Sequence, residues 1–332
     1  MKLTEIAVGN QSAFRFLNKG ECVSRLLTCK SFNKSFNKLI PALAISLLAP
    51  ILWLGSEVPH TAVAVAQTGS NRTAEDVLKQ GLQLVQQGNL EGAANAFQQA
   101  VFLNPMLASA HYNLGLARRQ QGKLQEAADA FYRATRVDPK FALAYANLGA
   151  VLLEGNNLDL ANAYLRKSIE LDPQLALAHY NLGLVLTKQG KFADAAAALQ
   201  RAIQLSPKVA EAHYHLGLAY RQQQRNNDAI DAFRKAIQLK PKYREAYYDF
   251  GILLFEQGNL ESALESFSQS ALADSNYPNA YYGAGLVFLQ LKRYSDAQRM
   301  MQFAKDLFTV QGNPDWAAKA DQHLQRAKAL GQ

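Results

Sequence analysis

The chain has 332 residues, 49% apolar and 19% charged, with 10 prolines and 20 glycines. That composition excludes a collagen-like or disordered polymer and predicts a globular chain. The formal charge is +8, but half of it falls in residues 1–66 and no dense basic run follows, so nucleic acid is not expected as a partner.

Residues 1–66 read as an address. The uncharged 16-residue run LIPALAISLLAPILWL at 39–54 follows Lys30, Lys34 and Lys38 and precedes AVAVAQ at 62–67. A basic flank, an apolar middle and small residues at −3 and −1 make a secretory signal, cleaved after Ala66 or after Ala64. The run is shorter than an ordinary span of about 20 residues, and Pro41 and Pro50 interrupt it. Left uncleaved, it anchors the chain in a membrane. Either version puts the body of the protein across the membrane, in a periplasm or equivalent lumen. Both cysteines, Cys22 and Cys29, lie in this leader, so the rest of the chain offers no disulfide, cysteine zinc site or thiol nucleophile. The Ser-x-x-Lys spelling within SFNKSFNK at 31–38 is part of the charged flank and lacks the partner motifs of a penicillin-binding site. Residues 67–73 are expected to be a linker.

From residue 74 the spelling recurs. AHYNLGL at 110–116 returns at 178–184 and, as AHYHLGL, at 212–218. Gly81, Gly115, Gly149, Gly183, Gly217, Gly251 and Gly285 are spaced by 34, as are Pro105, Pro139, Pro173, Pro207 and Pro241. Seven units follow: 74–107, 108–141, 142–175, 176–209, 210–243, 244–277 and 278–311. Each predicts two amphipathic helices with a break between them, as at Gln121-Gly122-Lys123. A proline after the second helix ends it, because the preceding residue is pushed out of the α region. Small residues at positions 8 and 20 let the two backbones approach, and Phe97, Phe131, Phe233 and Phe267 at position 24 fill the space beside them.

These spaced residues resemble the tetratricopeptide repeat family. Unit five carries its pattern most fully, with Leu216, Gly217, Tyr220, Ala229, Phe233, Ala236 and Pro241. The resemblance covers 74–311 and implies an all-α, right-handed superhelical solenoid of helical hairpins. Departures cluster at its ends (Gln80, Ser275, Ala284, Met301 and Thr309), where the outer faces of a stack meet water. Residues 312–332 place Trp316, Ala320, Leu324 and Ala327 on one face and are expected to form a capping helix starting at Asn313-Pro314.

In this family the first helices line a concave wall. Carried over position by position, the resemblance assigns to a peptide-binding groove Tyr112, Asn113, Arg119, Asn147, Tyr180, Asn181 and Lys188. It adds Tyr214, His215, Arg221, Tyr248, Asp249 and Tyr282. An amide offers two donors and an acceptor, which suits the backbone of an extended peptide. The repeat arm of protein O-GlcNAc transferases uses similar asparagine ladders in this way. The same Asn113, Asn147 and Asn181 also suit a purely structural ladder between stacked helices. The wall changes sign, from Lys79, Arg119 and Lys188 to Glu211, Glu245, Asp249 and Glu256, although Glu75 starts it acidic and Arg221 breaks the trend. The family's clamp for chaperone tails needs lysines and asparagines of which only the middle one, such as Asn113, is present.

Three histidines, His111, His179 and His213, occupy position 4, a packing slot, and no metal site is expected. Tyr282-Gly283-Ala284-Gly285 lacks the strand and third glycine of a nucleotide loop. No catalytic motif stands out, so neither an enzyme nor a cofactor is expected. The sequence therefore predicts a non-catalytic extracytoplasmic scaffold that binds a peptide or protein, serving assembly of a membrane or envelope complex. The alternative is a substrate-recruiting arm for a separate glycosyltransferase. End-to-end self-association is a third reading.

Overall fold

A computed structural model describes residues 72–332. Fifteen α-helices and no strand form among these residues. They fall into two compact units, 72–138 and 139–332.

The first unit holds α1 (Ala74–Gln86), α2 (Leu90–Leu103), α3 (Ala108–Gln120) and α4 (Leu124–Val137). Thr73 starts α1 with a capping box, its hydroxyl accepting from the Asp76 N–H at 3.2 Å while its own N–H donates to the Asp76 carboxylate at 3.0 Å. That backbone bond holds the Asp76 carboxyl below its usual range. Asn89 accepts from the Gly92 N–H at 2.9 Å to start α2. No later helix has a side-chain cap, so these helices rely on the packing of one face against a neighbour.

The second unit continues with α5 (Ala142–Glu154), α6 (Leu158–Leu171), α7 (Ala176–Lys188), α8 (Phe192–Leu205), α9 (Ala210–Gln222) and α10 (Asn226–Leu239). It ends with α11 (Arg244–Glu256), α12 (Leu260–Ala273), α13 (Pro278–Gln290), α14 (Tyr294–Val310) and α15 (Pro314–Leu330). Odd-numbered helices up to α13 are the first helices of repeats, and each packs most closely on the helix that follows it.

The seam inside each repeat is what the 34-residue spacing encodes. A methyl group on Gly115 would lie 2.7 Å from the Phe131 ring, and one on Gly217 the same distance from Phe233. Leu165, Leu199 and Met301 take the ring's place beside Gly149, Gly183 and Gly285. Gly283 has its own reason, since a methyl there would come within 2.6 Å of Phe267 in the preceding repeat.

The turn from first to second helix needs a left-handed residue. Gly88, Gly122, Gly190 and Gly258 supply it with φ between 75° and 79°, but Asn156, Gln224 and Lys292 stand there at 60°, 59° and 56°. A side chain in that region carries a steric cost that glycine lacks. Replacing Gln224 by glycine is therefore expected to raise unfolding stability by about 0.5–1 kcal/mol. A denaturant titration with an unchanged or lower midpoint would count against strain at this turn.

Position 4 does more than pack. Nε2 of His111, His179 and His213 lies 2.9, 3.0 and 3.0 Å from the carbonyls of Pro105, Pro173 and Pro207, and Tyr281 donates to Ser275 O at 3.1 Å. A carbonyl only accepts, so each ring carries its proton on Nε2. In these four repeats the residue thus ties the start of the first helix to the turn before it.

Both ends of the stack depart from the inner repeats. Gln80 is exposed where inner repeats bury Leu114, Leu148 and Leu182. At the other end α14 and α15 join through Gly312 at φ 70°, the same turn that links the two helices of one repeat. Gln298 donates to Ala327 O at 3.2 Å and Lys305 pairs with Asp321 at 2.8 Å. The last helix thus folds back along α14 as a second helix does on a first, burying Ala317, Ala320, Leu324 and Ala327. Among the described residues no helix is long and apolar enough to cross a membrane.

Candidate functional site

Within the second unit the first helices of adjacent repeats touch each other, α5 with α7, α7 with α9, α9 with α11 and α11 with α13. Adjacent second helices are not in comparable contact, so the first helices form the inner side of this unit. Side chains at positions 5 and 6 come together there.

The best-connected stretch crosses α7, α9 and α11. The Tyr180 and His215 rings meet at 5.9 Å, His215 and Tyr214 at 5.1 Å, and Tyr214 and Tyr243 at 5.0 Å. Tyr214 donates to the Asp249 carboxylate at 2.7 Å. Arg221 approaches the other Asp249 oxygen at 3.7 Å and Glu256 at 2.6 Å. Tyr248 packs on Tyr277 at 5.6 Å, while Tyr282 meets Trp316 at 5.6 Å and His323 at 5.7 Å.

Three of these tyrosines also lean on their own repeat's second helix, Tyr214 on Phe233 at 6.1 Å, Tyr248 on Phe267 at 5.8 Å and Tyr282 on Phe308 at 6.4 Å. The rings are half-buried and held from behind. Burial, with the Glu211 charge second, pushes the Tyr180 hydroxyl up to about 12. Burial and then the Asp249 charge raise Tyr214 further still. Both stay neutral donors across the physiological range.

Acidic residues on this wall are less bare than the sequence implies. Glu211 pairs with Lys240 at 2.9 Å, which holds its carboxyl below the usual range. Lys240 also sits 4.3 Å over the Tyr243 ring. Glu245 takes Arg244 at 2.8 Å, and Arg244 bonds Asp274 as well. Asp249 is the strained member, since burial raises its carboxyl despite Tyr214 and Arg221.

The asparagines are partly committed. Asn113 donates to Ser109 O at 2.7 Å and Asn147 to Leu143 O at 3.0 Å, each one turn back along its own helix. Asn147 and Asn181 are buried, and Asn181, only 6% exposed, leaves its Nδ2 with no hydrogen-bond acceptor. A buried donor without a partner costs about 1–3 kcal/mol. Lys188 is exposed at the end of α7. Tyr112, Asn113 and Arg119 hold the matching positions on α3 of the first unit, with Tyr112 leaning on Phe131 at 5.7 Å.

Sequence reasoning missed Tyr243 and Tyr277, which flank Tyr214 and Tyr248 from position 34, and the cations Lys240 and Arg244. It also missed His323 and the reach of Trp316 to Tyr282. Among the described residues no three His, Cys, Asp or Glu side chains converge as metal ligands would.

Burial lowers the His215 ring to about 4 from an ordinary 6.5, against the opposing pull of Glu211. The unfolded chain takes up this proton near 6.5 and the folded chain near 4. Stability associated with His215 is therefore complete above 6.5 and is lost as pH falls toward 4. After allowance for residual solvent screening the loss is on the order of 2 kcal/mol. His215→Asn is expected to flatten that segment of the stability–pH curve. If both curves keep the same slope between these pH values, His215 does not drive it.

A tetratricopeptide repeat profile matches residues 78–140 and 180–244, another matches 220–282, and a TPR repeat profile matches 151–190. The chain belongs to the tetratricopeptide repeat family. Among solved structures, a chain of the APC/C hetero-tetramer Cut9-Hcn1 aligns over 65% of this chain at 22% identity and TM-score 0.58. This tetratricopeptide repeat chain covers only 43% of that one's length. A tetratricopeptide repeat protein from Parabacteroides merdae aligns over 74% of this chain and 98% of its own, at 18% identity and TM-score 0.58. The pilF protein of Pseudomonas aeruginosa aligns over 65% and 96%, at 21% identity and TM-score 0.57. These are likenesses of fold. No curated protein matches the sequence.

Proposed function

We propose that this chain is a non-catalytic scaffold whose inner first-helix face binds an extended segment of a partner protein. The observation that carries this reading is the continuous row Tyr180, His215, Tyr214, Asp249 and Arg221, joined across three repeats on one face. Half-buried tyrosines held from behind offer large contact area at small entropic cost. By register, Tyr112, Asn113 and Arg119 present the same kind of face in the first unit.

The proposed setting is extracytoplasmic, and the proposed task is assembly of a membrane or envelope complex. Its support is the leader sequence, in which Lys30, Lys34 and Lys38 precede the apolar run 39–54 and small residues end at Ala66. These residues, and the linker expected at 67–73 up to Asn71, lie outside the described part of the chain. No observation favours the glycosyltransferase-arm reading: Asn113 and Asn147 each commit one amide N–H to their own helix.

The test is proximity crosslinking in cells with the full chain and a Tyr180→Ala, His215→Ala, Asp249→Ala variant. The variant is expected to stay folded and lose the partner. Undiminished capture by a folded variant would contradict the site. Capture of membrane-complex subunits supports the setting, whereas a transferase or only a second copy of this chain supports a rival.

A further inference from the structure

The connection between the first two repeats carries a feature that the groove does not explain. Phe102 and Leu103 end α2, and Met106 lies in the turn before α3; they are 81%, 45% and 71% exposed. Phe102 and Met106 hold positions 29 and 33 of their repeat. In the next four repeats these positions are Arg136 and Lys140, Glu170 and Gln174, Gln204 and Lys208, and Gln238 and Lys242. Eight polar residues stand where this repeat has two large apolar ones. That slot faces water elsewhere in the chain, and neither Phe102 nor Met106 packs into a core. Leu272 is the other exposed apolar residue at position 29, but Asn276 follows it at position 33.

We propose that the Phe102–Met106 turn is a membrane contact, inserting its apolar side chains into the interfacial layer of a lipid surface. The inference rests on the reading of residues 39–54 as a membrane segment. That run ends 18 residues before Arg72, a length that reaches at most ~65 Å when fully extended. The repeats that begin at residue 74 are therefore confined near any bilayer that holds the run. An exposed cluster of Phe, Leu and Met on such a body is a liability in water and fits the boundary of headgroups and acyl chains. Charge agrees with this occupant. Arg136, exposed at the equivalent place one repeat on, is the side chain an anionic headgroup would meet.

The experiment places a nitroxide at Met106→Cys in the full chain carrying Cys22→Ser and Cys29→Ser. A second chain carries the label at Lys208→Cys, the equivalent position in the fourth repeat. Both are added to phosphatidylcholine vesicles containing a minor share of phosphatidylglycerol. Power-saturation spectroscopy then compares access of oxygen and of a water-soluble nickel complex. On vesicles the label at 106 is expected to gain oxygen access and lose nickel access several-fold, while the label at 208 stays in water. Adding Phe102→Ser is expected to return label 106 most of the way to water. If the chain binds vesicles but label 106 remains as wet as label 208, this contact is wrong and the leader reading stands. Protection of label 106 without vesicles would assign the patch to a protein surface, such as a second copy. No vesicle binding would overturn both the reading of residues 39–54 as a membrane segment and the contact.

Discussion

Replacing Phe233 by alanine is expected to cost about 3–5 kcal/mol of unfolding stability. The ring is fully buried and lies where Gly217 has given up its side chain to admit it. Truncation removes buried apolar area and leaves a cavity bounded by a helix backbone, which cannot collapse without disturbing the seam. The reverse experiment probes the same fit. Gly217→Ala puts a methyl group 2.7 Å from that ring, an overlap that costs about 1–3 kcal/mol to relieve. Because the same contact recurs at Gly115 with Phe131, the Phe131→Ala variant is expected to show a loss of similar size. Chemical denaturation of the single variants measures both. A Phe233→Ala loss below that of an ordinary surface change would mean the seam is not where stability resides.

Removing residues 312–332 is expected to cost on the order of 3–5 kcal/mol, from the lost burial of Leu324 and three alanines and the uncovering of α14. Repeat stacks are stabilised by nearest neighbours, so the loss should concentrate in α13 and α14. Phe308 and Trp316 stack at 5.8 Å, and Tyr282 packs edge-on against both. Deletion removes Trp316, uncovers Phe308 and Tyr282 and removes the Lys305–Asp321 pair. Hydrogen exchange on the shortened chain should show faster exchange in 278–311 than in 176–243. Uniform exchange and an unshifted melt would show that α15 is an appendage and not a cap.

Much of this fold is legible because close approach leaves few choices of residue. Gly217 and Ala229 are small for the same reason that Phe233 is large, and a fixed interval repeats the set. The last helix shows the limit of that logic. Its apolar stripe of Ala320, Leu324 and Ala327 announces a buried face but does not say which neighbour buries it. That it doubles back on α14 depends on the turn at Gly312. The histidine tie was hidden because position 4 also accepts Val77, Tyr145 and Tyr247, so nothing in the spelling marks a hydrogen bond. On the candidate site, register identified the row containing Tyr180, Tyr214 and Asp249. It did not reveal that Lys240 and Arg244 fold back onto Glu211, Glu245 and Asp274, since long side chains choose partners only once the helices are in place. Tyr243 and Tyr277 escaped because position 34 holds Leu107, Phe141 and Leu175 in other repeats.

The most direct test of the inner-face account uses a photo-reactive amino acid in place of His215, with the same residue at Lys235 on the exposed side of α10 as its control. Irradiation in cells should yield a discrete crosslinked species from position 215 and none from position 235. Equal yields from both, or a product from 235 alone, would show that whatever this protein holds is not held by its first helices.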